Sequence, residues 1–125
     1  MATGGPKPVV LVVDDEPSIR LLCRINLELA GYEIREAGAL AQARERIAAG
    51  GIDVVLLDMH LGSERSHDFL AELKGAGIPV AVVSGSTDLE SVARAGADAV
   101  LRKPFTIDEL EATVAELATR RSARL

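Results

Sequence analysis

Short apolar runs alternate with longer amphipathic stretches from one end of this chain to the other, and few folds accommodate that alternation. The runs are Val9 to Val13, the alternating Tyr32-Glu33-Ile34-Arg35, Val54 to Leu57, Ile78 to Val83, and Ala99 to Leu101. Runs of strand length separated by stretches of helix length predict a parallel sheet whose strands are joined by crossover helices. The first, third and fourth runs are continuously apolar, as strands covered on both faces are, whereas the second alternates and belongs at an edge. The expected architecture is α/β: a doubly wound, five-stranded parallel sheet built from a (βα) unit repeated five times.

The helical stretches carry their own boundaries. The first starts near Pro17, since proline suits a first helical position, and stops at Gly31. Its spacing predicts Leu22, Ile25 and Leu29 inward, with Arg20, Arg24 and Glu28 toward water. A second, alanine-rich helix runs from Leu40 to Ala49 and stops at Gly50-Gly51; a third follows Ser66 and ends before Gly75. A short fourth spans about Leu89 to Arg94. The last opens with the capping box Thr106-Ile107-Asp108-Glu109 and sets Ile107, Leu110, Val114 and Leu117 on one face. Residues 1–7 read as an N-terminal tail, 8–120 as one domain and 121–125 as a C-terminal tail, with no linker to a second domain.

Composition excludes several function classes. At 125 residues and 48% hydrophobic content the chain buries a core without disulfides or structural metal. Cys23, alone and within an apolar stretch, reads as packing in a reducing compartment. No signal peptide is visible and no run approaches the ~20 apolar residues that cross a bilayer, so the expected location is cytoplasmic, without a membrane partner. A net charge of -5 and three aromatic residues suit neither a phosphate backbone nor base stacking, which argues against direct nucleic-acid binding. The basic cluster Arg120, Arg121 and Arg124 is read as complementing the carbonyl end of the last helix and a solvated tail.

In a doubly wound sheet, ligands bind beyond the carboxyl ends of the strands. Asp14-Asp15-Glu16 follows the first strand, Asp58 the third, Ser84-Gly85-Ser86 the fourth and Lys103-Pro104-Phe105 the fifth, so all four sets are expected at one rim. Each has an ordinary structural reading. Asp14 or Asp15 can cap the first helix, Ser84-Gly85-Ser86 can be a turn, and Lys103 a surface charge before a proline. Together they fit something else. Three carboxylates converging there repel, at about 4 kcal/mol per pair for ~4 Å and an effective dielectric near 20, unless a cation sits among them. Oxygen-only ligands favour Mg2+, and no His or Cys cluster suggests zinc. With the Lys103 ammonium and the Ser84 hydroxyl, the rim offers what a phosphoryl group in transfer requires.

Val-Asp14-Asp15-Glu, Leu-Leu-Asp58-Met, Val-Ser84-Gly85 and Lys103-Pro104-Phe105, in that order at the ends of those strands, resemble the receiver domains of bacterial response regulators over residues 8 to about 120. The resemblance implies a flavodoxin-like, three-layer sandwich and a two-component phosphorelay role. Asp58 would be the phosphoacceptor, receiving phosphate from the phosphohistidine of a sensor histidine kinase or histidine phosphotransfer protein. Asp14, Asp15, Asp58 and the backbone carbonyl of His60 would bind Mg2+, while Ser84 and Lys103 would each reach a phosphoryl oxygen. It also implies a cis Lys103-Pro104 peptide, which proline makes physically reasonable, and slow autodephosphorylation rather than turnover of an external substrate. The His60 side chain is placed at the pocket mouth, and His67 on a helix surface.

The chain departs from the family in places. Four and eight residues after Asp58, where the family usually has proline and glycine, stand Gly62 and Ser66, which predicts a looser loop. Three residues before Lys103, Val100 replaces the aromatic of the usual rotamer switch, and the stretch from Ser84 to Lys103 is a few residues short. Two other functions compete with the single-domain switch. One is a receiver-fold scaffold, or a domain derived from a hybrid kinase, acting by protein contact with little phosphate dependence. The other is a phosphatase, against which stands His60 at the position where dehalogenase-like phosphatases carry a second acid.

Overall fold

The computed structural model describes residues 7–61, 64–85 and 96–124. Five parallel strands form one sheet: β1 (Val9–Val13), β2 (Glu33–Ala37), β3 (Val54–Asp58), β6 (Val80–Ser84) and β7 (Ala99–Arg102), in the order β2-β1-β3-β6-β7. Around it pack α1 (Pro17–Leu29), α2 (Leu40–Ala48), α3 (His67–Gly75) and α4 (Ile107–Arg124). This is the expected flavodoxin-like arrangement, with the alternating β2 at an edge and the all-buried β3 at the centre. The fourth helix expected over 89–94 lies outside the described residues, as does Gly62.

Strand periodicity divides the core in two, because successive side chains leave opposite faces of the sheet. Leu11, Val13, Val55, Leu57, Val80 and Val82 meet Leu40, Ala43, Phe69, Leu70 and Leu73 from α2 and α3. Val10, Val12, Val54, Leu56, Ala81 and Val83 meet Cys23 and Leu27 of α1 and Leu110, Val114 and Leu117 of α4. Chain order reverses at β1, since β2 lies on one side of it and β3 on the other, and this opens a crevice at the carboxyl ends of β1 and β3.

Local signals operate as the sequence implies. Gly31, Gly50 and Gly77 take positive φ just after α1, α2 and α3, a conformation in which a side chain would be strained. The Thr106 hydroxyl accepts from the Glu109 amide at 3.1 Å, and a Glu109 carboxylate oxygen accepts from the Thr106 amide at 2.9 Å, completing the capping box. Two aspartates before strands act as clips: Asp53 accepts from the Val9 amide and Asp98 from the Val80 amide, each at 2.9 Å, tying strand starts together.

Two expectations are corrected. First, α1 is rotated from its expected phase: Cys23 and Leu27 are buried, whereas Leu22, Ile25 and Leu29 are exposed, Leu29 at 82%. Arg20 is not turned to water. It donates to the Asp14 carbonyl at 2.6 Å and pairs with Glu36 at 3.3 Å, while Arg24 reaches Glu36 at 3.2 Å, so both arginines face β2 and fix the rotation. Second, the last helix continues to Arg124, and Arg121 donates to the Gly77 carbonyl at 2.7 Å, so 121–124 is helix rather than solvated tail. The loop after Asp58 includes residues 62 and 63, which lie outside the described residues. It holds a short antiparallel pair, β4 (His60–Leu61) with β5 (Glu64–Arg65), and ends at a buried Ser66 whose hydroxyl donates to the Asp58 carbonyl at 2.9 Å.

Candidate functional site

The carboxyl ends of β1 and β3 bring the predicted acids together. Asp14 follows β1 and is held by two bonds: its amide donates to the Ala37 carbonyl at 3.0 Å, and its carboxylate accepts from the Glu16 amide at 2.9 Å. Asp58 closes β3 and is buried, with its carbonyl held by Ser66 and the next amide, of Met59, donating to Val83 at 3.3 Å. Asp15 is exposed at the mouth. One carboxylate oxygen from each of Asp14, Asp15 and Asp58 lies within 4.8 Å of the other two. Such a hard, all-oxygen donor set suits a small divalent cation that keeps part of its water shell.

Lys103 comes in from the end of β7, where its amide donates to the Ser84 carbonyl at 2.9 Å. Its ammonium lies 3.7 Å from an Asp58 oxygen and 3.9 Å from an Asp14 oxygen, with the side chain 27% exposed. The Lys103-Pro104 peptide is cis, as expected. Ser84 is buried at the end of β6, whose Val83 pairs in register with Asp58. His60 lies in β4, two residues beyond Asp58, and His67 is an exposed first residue of α3. Val100 is half-buried and packs against the core on the α3 side.

Electrostatically the site is under load. Burial pushes the Asp14 carboxyl above its ordinary value; the Glu16 amide pulls it down, Asp58 pushes it up, Lys103 pulls it down and Asp15 pushes it up. The same environment reaches Cys23, whose thiol is pushed up to about 11 by burial first and by the Asp14 charge next. That keeps it a packing thiol rather than a nucleophile.

Sequence reasoning missed two residues here. Arg20 holds the Asp14 carbonyl from below, in a tight fit beside Gly38, where an added Cβ would come 3.2 Å from the guanidinium. Ser66 holds the Asp58 carbonyl. Neither belongs to a motif; the signal for Ser66 was only a hydroxyl residue in place of glycine.

A model of the response regulator receiver domain matches residues 10–115. The chain belongs to the response regulator receiver family. Among curated relatives, the transcriptional regulatory protein KdpE of Mycobacterium tuberculosis is 39% identical over 119 residues, covering 92% of this chain and 53% of that protein. The KDP operon transcriptional regulatory protein KdpE of Escherichia coli is 36% identical, covering 91% of this chain and 52% of that protein. This receiver thus spans about half the length of the relatives it matches. Among solved structures, the CheY-like receiver domain protein from Methanospirillum hungatei superposes with a TM-score of 0.87 at 26% identity, covering 96% of this chain and all of that one. The receiver domain of NtrX from Brucella abortus gives 0.82 at 32% identity, covering 88% and 98%. Such receivers are signalling domains of two-component systems and interact with sensor histidine kinases. No described helix is long and apolar enough to cross a membrane.

Proposed function

We propose that this receiver takes a phosphoryl group onto the Asp58 carboxylate from the phosphohistidine of a sensor histidine kinase or histidine phosphotransfer protein, in the cytoplasm, and later yields it to water. The observation that carries the reading is the buried Asp58 carboxylate lying 3.7 Å from the Lys103 ammonium and within 4.8 Å of the Asp14 and Asp15 oxygens.

In this reading one Asp58 oxygen attacks phosphorus in line, the P–N bond to the donor imidazole breaks, and the imidazole leaves with the bond's electron pair. Lys103 neutralises one equatorial phosphoryl oxygen and the Ser84 hydroxyl donates to another, so charge building up during transfer meets donors already in place. Asp14, Asp15, Asp58 and the His60 carbonyl would hold Mg2+, which when bound offsets the carboxylate repulsion and the charge of the incoming phosphate. Arg20 and Ser66 hold the backbones of Asp14 and Asp58, so the nucleophile and the acidic pair keep their spacing. Asp58 then returns phosphate when water attacks phosphorus and the acyl phosphate P–O bond breaks.

The groove beside this rim, about 470 Å³ and lined by Glu16, Ile19, Leu22, Lys103, Pro104 and Phe105, supports a protein donor over a free metabolite, since its walls are mainly apolar. A net charge of -5 supports a role without direct nucleic-acid contact. The test is intact mass after incubation with Mg2+ and acetyl phosphate or phosphoramidate. One phosphate is expected on the parent, none on Asp58→Asn, and none with a chelator. No gain on the parent from either donor would overturn the reading.

A further inference from the structure

Each polar group of Asp14 is engaged. Its amide donates to the Ala37 carbonyl at 3.0 Å, its Oδ1 accepts from the Glu16 amide at 2.9 Å, and its Oδ2 faces the Lys103 ammonium at 3.9 Å. Its carbonyl accepts from the Arg20 guanidinium at 2.6 Å. That last bond comes from a side chain in the first turn of α1, so one substitution removes it without touching the acids. Arg20 is braced in its turn. Its Nε pairs with one Glu36 oxygen at 3.3 Å while Arg24 holds the other at 3.2 Å, so Glu36 on β2 anchors the guanidinium. Gly38 leaves it room: an added Cβ there would come 3.2 Å from the nitrogen that donates to Asp14.

We propose that Arg20 is the positioning residue of the acidic pair, and that it raises the rim's affinity for Mg2+ although it is itself a cation. The inference rests on the reading that Asp14, Asp15 and Asp58 hold Mg2+. The peptide joining Asp14 to Asp15 is a rigid plane, so a donor fixed on its carbonyl sets the direction in which both residues leave it. Asp14 is buried and Asp15 exposed, yet one oxygen of each must reach the same ion. Mg2+ demands an octahedral shell at about 2.0–2.1 Å, whereas Ca2+ accepts irregular shells at about 2.3–2.6 Å. A peptide free to tilt therefore weakens Mg2+ binding more than Ca2+ binding.

Charge and geometry predict opposite signs. A fixed positive charge beside a metal site repels the metal, so if Arg20 acted through its charge, its loss would tighten the binding of both ions. Two observations favour geometry. The Arg20 charge is balanced at Glu36, and the charges that act on the Asp14 carboxyl come from Asp58, Lys103 and Asp15. The contact itself is to a main-chain carbonyl, where it fixes a peptide plane rather than competing with the ion for a carboxylate. An outer partner that orients a metal ligand in this way typically contributes about 10–100-fold in affinity.

The experiment titrates the full, unphosphorylated chain with Mg2+ and, separately, with Ca2+, following amide shifts by NMR. Arg20→Met removes the donor and the charge at similar length. It is expected to bind Mg2+ about 10-fold more weakly than the parent and Ca2+ within about 3-fold of it. Arg20→Lys keeps the charge but has no planar fork to hold the Asp14 carbonyl and Glu36 together, so it should lose Mg2+ affinity in the same direction. Gly38 does not take the left-handed backbone, so Gly38→Ala keeps the main chain and the arginine and presses the guanidinium off the carbonyl. It should shift the ratio of Mg2+ to Ca2+ affinity the same way by a smaller factor. Circular dichroism without metal checks folding; if Arg20→Met does not fold, Gly38→Ala decides, and an unchanged ratio there overturns the proposal. Mg2+ binding by folded Arg20→Met as tight as the parent's, or equal losses for the two ions, would also overturn it. Either result leaves the phosphate reading standing where the parent still gains phosphate in a Mg2+-dependent way. A parent whose shifts do not respond to Mg2+ would overturn the proposal together with the metal reading beneath it.

Discussion

Replacing Ser66 with alanine tests whether the loop after Asp58 is clasped by a single hydroxyl. The Ser66 side chain is fully buried, and its oxygen donates to the Asp58 carbonyl at 2.9 Å. Alanine removes the donor and leaves that carbonyl in a place water does not reach. A buried acceptor deprived of its donor costs about 1–3 kcal/mol, more than the ~1 kcal/mol an exposed hydrogen bond contributes. For a domain of this size each kcal/mol lowers the melting temperature by roughly 3–6 °C, so a loss of about 3–18 °C is expected. Urea unfolding followed by circular dichroism should show a lower midpoint with an unchanged slope, because the surface exposed on unfolding is the same. Ser66→Thr keeps the hydroxyl and should recover most of the loss if the added methyl is accommodated. Ser66→Gly matches the family's usual residue but should be no more stable than Ser66→Ala, since it adds backbone freedom to the unfolded chain. A Ser66→Ala midpoint within error of the parent would refute the clasp, and so would a Ser66→Gly protein more stable than the parent.

Asp14→Asn should stabilise the metal-free protein at pH 7, because it removes a charge that burial disfavours first and that the Asp58 carboxylate also opposes. Because the folded-state pKa of Asp14 lies above its unfolded value of 3.8, the ionised group detracts from stability at neutral pH, and the penalty lifts as pH falls through the folded pKa toward 3.8. The difference in urea midpoint between Asp14→Asn and parent should therefore narrow on acidification; a gap that widened would reverse the sign. Mg2+ at ten times its dissociation constant should add about 1.4 kcal/mol to the parent, a gain reversed by chelator and visible as a higher melting temperature. Thr106→Ala removes the hydroxyl of the capping box and should cost about 1 kcal/mol in urea unfolding, with fraying at the start of α4. Cys23 should react with a disulfide reagent at neutral pH only as fast as the protein opens; prompt labelling would show the thiol is accessible.

Most of the fold and the site was legible because both rest on short-range rules. Alternation of five runs with helical stretches sufficed for a parallel sheet, and the place where such sheets bind ligands then turned four scattered motifs into one rim. The phase of α1 was not legible, for a physical reason. Its apolar residues occupy two faces, Ile19-Cys23-Leu27 and Leu21-Leu22-Ile25-Leu29, and helical periodicity serves either equally well. What selects between them is tertiary: Arg20 reaches the Asp14 carbonyl and Glu36, and Arg24 reaches Glu36. A reader of the sequence takes arginines as solvent markers, yet here Arg20 is anchored beneath the acidic site. The same contact that turns Cys23 inward supports Asp14 from below and turns Leu21, Leu22, Ile25 and Leu29 outward. Within α1, then, one rotation fixes both the acidic site's support and which apolar face stays exposed.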